Sequence, residues 1–101
     1  MIISIIGGGA LGSALAINYS SNKKKVFVWN RTRLTHQKLF EHHRTQNKNE
    51  CPENYLTHLE IKPSVEEAVQ DSTVVLICIK AQSVYEFLKN NSSFLDSKTV
   101  V

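Results

Sequence analysis

Residues 2–12 read Ile-Ile-Ser-Ile-Ile-Gly-Gly-Gly-Ala-Leu-Gly, and this stretch decides the fold. Residues 2–6 are apolar except for Ser4, a pattern typical of a strand that is covered on both faces in a parallel sheet. Glycines end this strand at once, and from Ala10 to about Asn22 apolar residues recur at helical spacing. The predicted order is therefore strand, tight turn and helix.

The glycines of this turn have the spacing G-x-G-x-x-G at which such a unit binds dinucleotides. Gly7 permits the tight turn, Gly9 lets the backbone approach a diphosphate, and Gly12 lets the helix pack closely on the strand. The first-turn N–H groups, with Ala10 and Leu11 among them, and the helix dipole favour an anion there. We expect these five residues to bind a dinucleotide cofactor; a glycine-rich turn without a ligand is the alternative.

The rest of the chain alternates between strand and helix patterns. Four more segments are rich in β-branched or other apolar residues and predict strands: 26–29, 57–61, 73–79 and 98–101. Helices are predicted between them over 33–46, over 64–69 behind a capping box, and beyond residue 82. This order predicts an α/β, Rossmann-type doubly wound parallel sheet. We expect residues 1–101 to be one NAD(P)-binding domain, incomplete at the C-terminus because the last strand has only begun.

Polar residues at two strand ends are candidates for cofactor selectivity. After the second strand, an acidic residue would favour NAD, but the chain has Asn30, Arg31 and Thr32. Since arginine can bind a 2′-phosphate, we expect NADP(H) to be favoured over NAD(H), with use of both left open. Arg31 as a solvated loop residue is the alternative. Ile79 ends the predicted fourth strand and Lys80 follows it, where parallel sheets open their ligand crevice, and we expect both to line the cofactor site. For Lys80 a solvent-facing position is equally compatible.

Composition and charge exclude several classes of protein. The chain is 42% apolar with a net charge of +3, and its one lysine run, 23–25, is typical of a solvated turn rather than a nucleic-acid site. No stretch is long enough for a membrane span, and no basic leader precedes the first strand. Cys51 and Cys78 are expected to be free thiols in a reducing cytoplasm. We therefore expect a cytoplasmic protein with no nucleic acid or membrane as partner.

Metal and catalytic sites are not expected within these residues. The four histidines, at positions 36, 42, 43 and 58, have no carboxylate or cysteine partner at ligand spacing and are expected on the surface. No pairing of a nucleophile with a base can be argued from the sequence either.

The chain resembles the N-terminal domain of bacterial-type NAD(P)-dependent glycerol-3-phosphate dehydrogenase. The resemblance rests on the glycine loop and small-residue helix of 7–16, on 26–29, on Pro52-Glu53-Asn54 and on 64–69, which follow the family's order. It implies that the whole enzyme interconverts dihydroxyacetone phosphate and sn-glycerol 3-phosphate by hydride transfer, which supplies glycerophospholipid synthesis. It also implies a small phosphorylated substrate, and catalytic lysines and a helical domain beyond residue 101; a homodimer is left open.

Two segments depart from that family's pattern. Ala10-Leu11 and Lys80-Ala81 are instead similar to ketopantoate reductase, so the cofactor domain of such a 2-oxoacid reductase is an alternative. A nucleotide-sensing module without chemistry is a second alternative.

Overall fold

Five strands form a single parallel sheet in the computed structural model, which describes residues 1–39, 41 and 57–101. The strands are β1 (Ile2–Ile6), β2 (Lys25–Trp29), β3 (Leu59–Ile61), β4 (Val74–Ile77) and β5 (Thr99–Val100). Their order across the sheet is β3-β2-β1-β4-β5, and every neighbouring pair is parallel. The predicted parallel α/β fold is confirmed.

Helices lie between these strands as predicted, with one addition. They are α1 (Ala10–Ser21), α2 from residue 36, α3 (Val65–Val69), α4 (Ala81–Asn90) and α5 (Ser92–Leu95). The short helix α5, which follows α4, was not predicted. The helix predicted over 33–46 begins three residues later, because the hydroxyl of Thr35 accepts the N–H of Lys38 at 3.2 Å and so caps the first turn. Only 36–39 and 41 of α2 are described, so the prediction for 42–46 lies outside the described residues.

The Ser64 N-cap of the capping box predicted at the start of α3 is present. The Ser64 hydroxyl accepts a hydrogen bond from the N–H of Glu67 at 3.2 Å, and Val65, Ala68 and Val69 are buried as the sequence indicated. The short helix is therefore fixed by its own first turn and by one apolar edge.

Alternate residues of β1 point to opposite faces of the sheet and pack into two separate buried clusters, so both faces of the sheet are covered. Ile3 and Ile5 pack with Ala16 and Ile17 of α1, whereas Ile6 packs with the buried residues of α3 and α5. Ser4 is fully buried on the face that α3 covers, and it donates a hydrogen bond to the carbonyl oxygen of Ala68. A polar residue is thus tolerated in the middle of the buried strand.

Helix α1 packs on the sheet through its small residues. Its buried positions are Gly12, Ser13, Ala16, Ile17 and Ser20. Leu11 is 60% exposed, so the apolar residues that indicated the helix are not all on its packing face. Small side chains on this face let the helix axis lie close to the sheet. The hydroxyls of Ser13 and Ser20 donate to the carbonyl oxygens of Gly8 and Ala16, so these buried polar groups are satisfied.

The central strand ends level with its two neighbours. Ile6 of β1 is paired with Trp29 of β2 on one side and with Ile77 of β4 on the other. Strand order reverses between β1 and β4, and ligands of open parallel sheets bind outside the carboxyl ends at such a reversal. The loops that follow these three strands therefore share the edge where a ligand is expected.

Candidate functional site

Gly7 makes a turn that strongly favours glycine. Its φ of 111° lies in the left-handed region, and its N–H donates to the carbonyl oxygen of Trp29 at 2.7 Å. A Cβ atom on Gly7 would lie 2.5 Å from the carbonyl oxygen of Cys78. The end of β1 is therefore clamped between the ends of β2 and β4.

Gly12 brings the first turn of α1 onto this bend. A Cβ atom at position 12 would lie 1.8 Å from the carbonyl oxygen of Gly7, which is inside van der Waals contact. Glycine is thus required for contact between helix and turn, as the spacing predicted.

Gly9 faces open space, unlike the other glycines of the loop. A Cβ atom there would have no neighbour within 4 Å, and the residue is the N-cap of α1 with an extended backbone. No side chain caps the helix, and its first turn contains no acidic residue. The N–H groups of Ala10, Leu11 and Gly12 have no acceptor within the helix, since the first amides of any α-helix lack one. This arrangement fits an anion such as a diphosphate, held by backbone donors and the helix dipole.

Gly8, to which the sequence assigned no role, connects the loop to β2. Its N–H donates to Oδ1 of Asn30 at 2.9 Å, and its carbonyl oxygen accepts from the Ser13 hydroxyl at 2.9 Å. The Nδ2 group of Asn30 donates in turn to the carbonyl oxygen and hydroxyl of Thr32, at 3.2 and 3.1 Å. The side chain of Asn30 is therefore bonded to the protein at both ends.

A cleft of about 480 Å³ opens beside this connection, between the ends of β2 and β3. The predicted residues Asn30, Arg31 and Thr32 line it together. Arg33 also lines it, and sequence reasoning missed this residue although it repeats the Arg31 side chain two positions later. Both arginines are exposed. The cleft is therefore a positively charged pocket next to the glycine loop.

Lys62 is the third cation at this cleft, and its ammonium group already has partners within the chain. Its ammonium lies 2.7 Å from a carboxylate oxygen of Glu60 and 4.4 Å from the ring centre of Phe27. The hydrogen bond and charge of Lys62 lower the pKa of the Glu60 carboxyl. The two arginines consequently provide the available charge.

The end of β4 supplies the other side of the site. The N–H of Cys78 donates to the carbonyl oxygen of Ile6 at 2.7 Å, and burial raises the pKa of the Cys78 thiol. The Cγ2 atom of Ile79 lies 3.1 Å from the position of a Cβ atom on Gly7, so this predicted residue borders the turn. Lys80 is exposed and is the N-cap of α4.

Other sequence predictions concern metals, thiols and membranes. Residues 1–39, 41 and 57–101 contain no cluster of side chains suited to a metal ion, and none of their helices is long and apolar enough to cross a membrane. Cys78 is a free thiol, whereas Cys51 lies outside the described residues. Of the histidines expected on the surface, His36 is exposed, His58 is half-buried, and positions 42 and 43 lie outside the described residues.

Comparison with known proteins identifies the family. A family model described as the N-terminus of NAD-dependent glycerol-3-phosphate dehydrogenase matches residues 2–101. The chain belongs to this family. The resemblance predicted from the glycine loop is thus confirmed, and the similarity to ketopantoate reductase at two segments does not decide the family.

Curated members of the glycerol-3-phosphate dehydrogenase family match over most of the chain. Glycerol-3-phosphate dehydrogenase [NAD(P)+] of Bacillus subtilis (strain 168) is 31% identical over 100 residues, which cover 97% of this chain and 28% of the relative. The protein of the same name from Wolbachia pipientis is 31% identical over 86 residues, which cover 85% of this chain and 25% of the relative. The chain therefore spans little more than a quarter of the length of these relatives.

Solved structures show the same fold. Glycerol-3-phosphate dehydrogenase from Coxiella burnetii superposes with a TM-score of 0.71 at 20% identity, over 98% of this chain and 30% of that one. (S)-3-hydroxybutyryl-CoA dehydrogenase from Ralstonia eutropha superposes with a TM-score of 0.76 at 12% identity, over 98% of this chain and 39% of that one. At such identities the likeness concerns the fold alone.

Proposed function

We propose that residues 1–101 form the dinucleotide-binding domain of a glycerol-3-phosphate dehydrogenase and bind NADP(H) or NAD(H), with NADP(H) favoured. The observation that carries the proposal is the uncapped first turn of α1, which faces open space at Gly9. Family membership supports the choice of ligand, since curated relatives are named as NAD(P)+ enzymes.

The cofactor would contact three loops at the carboxyl edge of the sheet. Its diphosphate would lie at Gly9 and accept hydrogen bonds from the backbone N–H groups of Ala10, Leu11 and Gly12. Gly7 would hold the turn of this binding loop in place, because a Cβ atom there would meet the backbone of Cys78.

The adenosine half would occupy the cleft after β2, with Arg31 and Thr32 facing a 2′-phosphate. Ile79 and Lys80 would line the opposite side, where Lys80 can contact a phosphate or ribose oxygen. When bound, the nicotinamide supplies the hydride.

The reaction belongs to the whole enzyme. By family, we propose that it interconverts dihydroxyacetone phosphate and sn-glycerol 3-phosphate, acts on this small phosphorylated substrate in the cytoplasm and supplies glycerophospholipid synthesis. The substrate-binding and catalytic groups are assigned to residues beyond 101. A homodimer is compatible with the proposal, which includes neither nucleic acid nor membrane as a partner.

The test uses the fluorescence of Trp29, the single tryptophan of the chain and a residue that lines the cleft. We expect NADPH to change this fluorescence with a saturable dependence on concentration. Gly9→Val would fill the open space and is expected to weaken binding by about tenfold or more, which corresponds to about 1.4 kcal/mol.

The matched control is Asn18→Val, which places the same side chain at an exposed position of the same helix, two turns away. It is expected to leave binding within about twofold of the original value, less than about 0.5 kcal/mol. If neither NADPH nor NADH bound to the unmodified chain at millimolar concentration, the proposed function would be wrong.

A further inference from the structure

Asn30 occupies a position that usually reads the cofactor, but here its side-chain amide, at the edge of the cleft, is hydrogen-bonded within the chain. In dinucleotide-binding units of this kind, the residue near the end of the second strand bonds to the adenosine ribose. Here Oδ1 of Asn30 accepts from Gly8 at 2.9 Å, and Nδ2 donates to both oxygens of Thr32 at 3.1 and 3.2 Å. Each polar atom of the amide therefore already has a partner within the chain.

We propose that Asn30 is a positioning residue that joins the glycine loop to residues 31–33 and thereby makes the site selective for a dinucleotide with a 2′-phosphate. The inference rests on the proposed function, and it adds a determinant of selectivity that does not itself touch the cofactor. An uncharged amide suits this role because one end must accept from Gly8 while the other donates to Thr32.

The hydrogen bonds form a continuous connection between the two ends of the site. Thr32 accepts from Asn30, Asn30 accepts from Gly8, and Gly8 accepts from Ser13 within α1. The loop that carries the arginines is thus tied to the helix whose first turn would hold the diphosphate. Movement of either loop would change the distance between the two anion positions.

The charges around Asn30 favour a phosphate over a ribose hydroxyl. Arg31 and Arg33 line the cleft, and in the part of the chain that the structure describes neither has an ion-pair partner. Lys62 is paired with Glu60, and no carboxylate lines the cleft among the described residues. Two guanidinium groups without a competing anion suit a phosphate monoester, which they can bind through paired N–H donors.

Two substitutions separate the roles of the amide. Asn30→Asp retains an acceptor for Gly8 but cannot donate to Thr32, and it places a negative charge beside the arginines. We expect NADPH to bind about tenfold or more weakly because the carboxylate repels its 2′-phosphate, whereas NADH, which has no phosphate there, should bind with little change. Asn30→Ala removes both connections, so both cofactors should weaken and the preference for NADPH should shrink.

The experiment measures the dissociation constants of NADPH and NADH from Trp29 fluorescence for the unmodified chain and both variants. Asn18→Ala, an exposed asparagine on α1, is the matched control and should change neither constant. Thermal unfolding reports whether each variant folds, and if Asn30→Ala does not, Asn30→Leu, which has a similar volume and no polar side-chain atom, takes its place.

The inference predicts that the ratio of the NADH to the NADPH dissociation constant falls in the uncharged Asn30→Ala or Asn30→Leu variant, and by about tenfold or more in Asn30→Asp. If both cofactors bound but the ratio stayed the same in the uncharged variant, Asn30 would have a structural role only and the inference would be overturned, while the proposed function would stand. If neither cofactor bound to the unmodified chain, both would be overturned.

Discussion

The carbonyl oxygen of Gly7 lies where the side chain of any larger residue at position 12 would begin, 1.8 Å from the Cβ position of Gly12. The turn after β1 and the first turn of α1 are therefore in direct backbone contact. This contact aims the free N–H groups of the helix at the edge of the sheet where β2 and β4 also end.

Gly12→Ala should destabilise the fold. The added methyl group must displace backbone, so we expect the free energy of unfolding to fall by at least about 1–3 kcal/mol. Urea unfolding measures this loss. Gly9→Ala is the matched control, since its methyl group enters open space and the change should cost only the loss of a glycine N-cap, less than about 1 kcal/mol and clearly less than Gly12→Ala. Similar losses in the two variants would show that the contact between helix and turn is not as described.

Arg31→Ala should weaken NADPH more than NADH. A charged hydrogen bond contributes about 1.5–3 kcal/mol, so the loss for NADPH should be about tenfold or more. Arg33→Ala should act in the same direction, because this side chain lines the same cleft. Lys24→Ala, an exposed cation in the lysine run, serves as the control in these titrations. If the substitutions weakened the binding of NADPH and NADH equally, the arginines would not bind the 2′-phosphate.

Ser4→Ala should destabilise the protein although the change is small. The Ser4 hydroxyl is fully buried and donates to the carbonyl oxygen of Ala68 in α3. Its removal leaves that buried acceptor unpaired, at a cost of about 1–3 kcal/mol in the free energy of unfolding. Ser93→Ala, at an exposed position, should have no comparable effect in the same urea experiment. An unchanged midpoint for Ser4→Ala would mean that the Ala68 carbonyl is satisfied in another way.

Stability should depend on the ionisation of Cys78 in alkaline solution. Burial raises the pKa of its thiol in the folded state, so the unfolded chain loses this proton first as the pH rises. The contribution of Cys78 to the free energy of unfolding is therefore fully present below the ordinary thiol pKa of about 8.5. It is lost as the pH rises from there through the raised pKa of the folded state. Unfolding measured from pH 7 to 10 should show a steeper decline for the unmodified chain than for Cys78→Ala. Parallel curves would contradict the effect of burial.

The sequence was sufficient for the order of elements. The buried run of β1, the glycine spacing and the Ser64 N-cap depend on local chemistry, and each was found where the pattern predicted it. The packing face of α1 was less predictable. Leu11 belongs to the apolar pattern but is exposed, because the close approach at Gly12 turns the small residues toward the sheet.

The cleft and its connection to the glycine loop depend on residues distant in sequence. Lys62 reaches the cleft only because β3 pairs with β2, and the sequence provides no signal of that contact. Gly8 had no apparent role until its N–H was found to bond to Asn30, 22 positions away. Asn30 was expected at the cofactor site, and the structure places it in the cleft lining with its polar atoms also bonded to the loops around it.

The most direct measurement is the change in backbone ¹H–¹⁵N NMR shifts when NADPH is added to the chain. If the first turn of α1 holds the diphosphate, the largest changes will fall on the N–H groups of Gly9, Ala10, Leu11 and Gly12, with a second group at Arg31–Arg33. Saturating NADPH that left those amides unmoved, or shifted a different part of the sheet, would contradict the account.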